Sequence, residues 1–79
     1  MTTYEISQTE KAIATFDTIL QEAISIRANA EQQLIEVARR PWNSRDTSYF
    51  EALRNTISEQ TRMIPIYENQ IIAYKQKLQ

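Results

Sequence analysis

The chain is predicted to fold as an all-α protein, an antiparallel two-helix hairpin of coiled-coil type. Three observations carry this. Ala, Glu, Gln, Ile and Leu are abundant, there is no Gly, and only two prolines interrupt 79 residues, a composition that favours helix. Apolar residues recur every seven positions in both halves of the chain. One strong break, Arg39-Arg40-Pro41-Trp42-Asn43-Ser44-Arg45-Asp46, lies near the middle.

The first helix is expected over about residues 3–39. Thr2 with Glu5 makes a capping box at its start, and Ser7 with Glu10 is a second candidate. Put the heptad position a at Ile6, Ile13, Leu20, Arg27 and Leu34. Position d is then Thr9, Phe16, Ala23, Ala30 and Val37, and eight of these ten are apolar. The adjacent pairs Ile19-Leu20 and Leu34-Ile35 break the alternation a strand needs.

Pro41 ends this helix, because it has no N–H and disfavours the α conformation at Arg40. The turn is expected over about 40–46, with Arg40, Pro41 and Trp42 at its heart. Asn43, Ser44, Asp46 and Ser48 are candidate N-caps for the second helix, Ser48 with Glu51 completing a capping box. With no glycine present, Asn43 is the candidate for a left-handed residue. Trp42 has two readings, a lid on the core over Val37 and Phe50 or a projecting docking anchor; the lid is the expectation.

The second helix is expected over about 47–78. Its a positions are Phe50, Ile57, Ile64, Ile71 and Leu78, and its d positions are Leu53, Gln60, Tyr67 and Tyr74. Pro65 falls inside it at an outward position and leaves the carbonyl of Thr61 without its helical donor. Because the apolar frame stays in phase beyond it, a kink near Pro65 is expected and not an end.

Folding at the turn pairs residues whose numbers sum to about 87. Val37 then faces Phe50, Leu34 faces Leu53, Ala30 faces Ile57, Ala23 faces Ile64, Leu20 faces Tyr67, Phe16 faces Ile71 and Ile13 faces Tyr74. Arg27 and Gln60 land in one layer and are expected to form a polar layer across the seam. Glu31 is expected near Arg54, and Glu10 near Lys75. At about 1.5 Å per residue the hairpin should be about 50 Å long.

One seam buries little for a chain of this length, so the hairpin looks incomplete alone. One flank offers more apolar surface: Ile19, Ile26, Met63, Ile66 and Tyr49, with the small Ala12, Ala52 and Ala73. The other carries Glu10, Asp17, Glu31, Arg54, Glu68 and Lys75, with Ile24 as its main apolar member. The apolar flank is the expected assembly surface. Its partner is expected to be the chain itself, as a homodimer closing a four-helix bundle, or another helical protein.

Composition bears on chemistry as well. With no His and no Cys, the usual general base, the thiol nucleophile and the commonest metal ligands are missing. Without Gly no phosphate-cradling loop of the Gly-rich kind is possible. No catalytic residue, cofactor or metal site is expected, and the chain is read as a non-enzyme. Residues 39–79 hold seven basic and four acidic residues, against two and six in 1–38. Arg39, Arg40, Arg45 and Arg54 near Trp42 make a small dimeric nucleic-acid-binding regulator the runner-up. Glu36, Asp46 and Glu51 dilute that patch, and the net charge is -1, so nucleic acid is the less expected partner. No apolar run is long enough for a membrane span, and the expected location is cytoplasmic, with signal-less export left open.

With Trp42-Asn43-Ser44 in its turn, the hairpin resembles the small secreted helical hairpins of the Trp-x-Gly class, with Ser44 in the place of their glycine. In length and layout it is also similar to the needle subunits and co-chaperones of type III secretion, though it carries no motif of theirs. Those resemblances imply a third reading, a subunit or chaperone of a secretion-type assembly.

Overall fold

The computed structural model describes residues 1–41 and 47–79. It consists of two helices, α1 (Thr3–Ala38) and α2 (Thr47–Lys77), packed antiparallel as a hairpin. The expectations for Trp42, Asn43, Ser44, Arg45 and Asp46 lie outside the described residues. The molecule is a rod of 62 × 15 × 14 Å with a radius of gyration of 18.0 Å. A compact domain of this length has a radius of about 12 Å.

Thr2 caps α1: its hydroxyl oxygen accepts from the Glu5 N–H at 3.1 Å, and the hydroxyl donates to Glu5 Oε1 at 3.2 Å. Two polar groups at the helix start are thereby held by one Thr–Glu pair. At the other end the helix tightens before Pro41. The Arg39 N–H reaches the carbonyls of Ile35 and Glu36, and the Arg40 N–H that of Val37 at 3.1 Å. This is the short i→i+3 pattern of a closing last turn. α2 begins at Thr47, which puts Ser48 inside the helix and not at its cap. Lys75 and Lys77 lie in the last turn of α2, where cations suit the helix dipole.

Pro65 sits within α2, which continues on both sides of it. Thr61, whose carbonyl loses its donor, is exposed, so water can take that place. This is how a helix carries an internal proline without ending.

The helices meet along the heptad stripe. From Thr9 to Val37 and from Phe50 to Tyr74, every a and d residue is buried or half-buried. Ala30, Val37 and Leu53 form the buried cluster near the turn, with Leu34, Phe50 and Ile57 packed against it. Ala23, Ile64 and Ile71 are also buried further along. Thr9 is buried too, its hydroxyl donating to the Glu5 carbonyl at 2.8 Å, which satisfies the group that burial would otherwise penalise. At the open end Phe16 and Tyr74 stack with ring centroids 5.8 Å apart. The ends of the stripe, Ile6 and Leu78, are 37% and 39% exposed.

A compact monomer of 9.3 kDa exposes about 5,000 Å². This chain exposes 5950 Å². The excess follows from the shape, since two long helices in one layer leave most of each cylinder in water.

Candidate docking flank

The seam uses the a and d positions, which leaves two flanks, built from g and e. In an antiparallel pair g of one helix adjoins g of the other. The g residues of α1 include Ala12, Ile19, Ile26 and Gln33; those of α2 include Tyr49, Thr56 and Met63. Ile66 and the alanines Ala52 and Ala73 stand beside them one position further out.

Ala12, Ile19, Thr56 and Met63 are half-buried, so this flank dips toward the seam. Ile26, Ile66 and Tyr49 are 45%, 46% and 40% exposed. Ile19, Ile26, Met63 and Ile66 occupy the middle of the rod, and Tyr49 lies near the turn. The Tyr49 hydroxyl donates to Gln33 Oε1 at 2.9 Å, a polar tie from helix to helix on the same flank. Nothing in the apolar pattern singles out Gln33. Its position, g opposite another g, is the signal that points to it.

The other flank is different. It carries Glu10, Asp17, Glu31, Arg54, Glu68 and Lys75, all exposed, with Ile24 as its apolar member and Ile35 and Ile72, 46% and 52% exposed, one position further out. Glu31 pairs with Arg27 of its own helix at 3.5 Å, one turn away, and not with Arg54. An i, i+4 pair closes at less entropic cost than one spanning two helices. Lys77 Nζ lies 4.9 Å from the Tyr74 ring, so this cation is held by an aromatic face of its own helix.

Arg27 and Gln60 are both half-buried within the stripe. The Arg27 side chain is 34% exposed and its Nε lies 3.5 Å from Glu31, whose side chain is 53% exposed. That is the behaviour of a long cation at a core edge. Arg40 and Pro41 are exposed at the end of α1.

Two surface depressions accompany these features. Asp17, Thr18, Gln21, Glu22, Ser25 and Ile26 line one, and Glu51, Arg54, Asn55 and Ser58 the other. Each follows a single helix at one-turn spacing, as grooves between side-chain rows do. Among the described residues no group of three acidic side chains is placed to hold a metal ion. Among them, too, no helix is long and apolar enough to cross a membrane. No family model matches the chain, and no curated protein and no solved structure matches it.

Proposed function

We propose that the chain is a non-enzymatic assembly module, a helical hairpin that docks its apolar flank on itself or on another helical protein to close a bundle. The observation that carries the reading is the asymmetry of the flanks. One bears Ile19, Ile26, Met63, Ile66 and Tyr49, three of them at least 40% exposed. The other sets six charged side chains around Ile24, with Ile35 and Ile72 further out. Apolar surface returns about 25 cal/mol per Å² when it leaves water, and a contiguous stripe of it usually marks an interface.

Sedimentation equilibrium and thermal melts of the pure chain over a hundred-fold concentration range test the self-associating form. The expected results are a mass above one chain and a Tm that rises with concentration. A single 9.3 kDa species with a constant Tm leaves the form that docks on another helical protein. For that form the deciding measurement is affinity capture with wild-type and Ile26→Glu baits, and equal capture by both overturns the reading. Binding of a labelled oligonucleotide that weakens steeply with salt favours the nucleic-acid regulator instead.

A further inference from the structure

We draw no further inference here: the strongest candidate, the apolar flank of Ile19, Ile26, Met63 and Ile66 along the middle of the rod, belongs to the docking site already described, and nothing in the structure shows what covers it.

Discussion

The two ends of the seam are built differently. Beside the turn, Ala30, Val37 and Leu53 are buried, with Leu34, Phe50 and Ile57 packed around them. At the open end lie the buried Ile71, a Phe16–Tyr74 stack, a Lys77 cation over the Tyr74 ring and a buried Thr9 bonded to its own helix. Beyond them Ile6 and Leu78 are more exposed than the rest of the stripe. Near the turn, closing the chain costs little, because the connection is short. Tight layers of small and large residues suffice there. At the far end the two helices meet through the Phe16–Tyr74 stack and the buried Ile71. Pro65 lies between the two regimes, close to the Ala23–Ile64 layer. The open end should therefore loosen first, in the manner of a low-stability unit attached to a firmer one.

Leu53→Ala should break the firmer end and produce the largest change. It removes a buried side chain from the cluster near the turn, and the expected loss is about 2–4 kcal/mol. Tyr74→Ala at the half-exposed open end should cost less, about 1–2 kcal/mol, most of it the aromatic pair and the area it covers. Denaturant unfolding at one fixed protein concentration gives both values. Equal losses would show that the ends do not differ in strength.

Pro65→Ala should sharpen the comparison by joining the two regimes. It restores the hydrogen bond to the Thr61 carbonyl and removes the ring clash, with an expected gain of about 1–3 kcal/mol. The gain should appear in amide exchange mainly over residues 66–77. Uniform protection along both helices would mean that Pro65 is not the joint.

Arg27→Leu with Gln60→Leu should also stabilise, by about 1–2 kcal/mol, since two half-buried polar side chains in the stripe become apolar. The lost Arg27–Glu31 pair offsets little, because both side chains reach solvent. The same double variant should associate into more than one mass, as bundles do when a register-fixing layer is removed. A lower melting temperature with one retained mass contradicts the polar-layer idea.

These outcomes concern positions that are readable to different degrees from the residues alone. The stripe is legible because burial along a helix obeys a period, and a period survives any choice of rotamer. Thr9 to Val37 and Phe50 to Tyr74 are buried or half-buried where the frame puts them. The frame fails at the ends for a geometric reason: the layer rule gives Ile6 no residue of α2 to face, since α2 closes at Lys77. Charge follows a shorter range: Glu31 pairs with Arg27, one turn away on its own helix. The apolar pattern puts the Tyr49 ring on the right flank, but its hydroxyl goes to Gln33. The heptad pattern weighs apolar area and is blind to a single polar atom at the tip of a side chain.

That hydroxyl gives the smallest effect and a fine test of the firmer end. Tyr49→Phe keeps the ring on the flank and deletes only the donor to Gln33 Oε1. Both residues are exposed, so water can replace either partner, and the expected loss is about 0.5–1 kcal/mol. Gln33→Ala removes the acceptor and some stem packing as well. The two changes should not add: the double variant should lose less than the sum by about the strength of the bond. Each variant should keep the wild-type mass, because the apolar surface is untouched by Tyr49→Phe. Additivity within a few tenths of a kcal/mol would show that the tie contributes nothing, and that the turn end is held by the packing of Ala30, Val37, Leu53 and their neighbours alone.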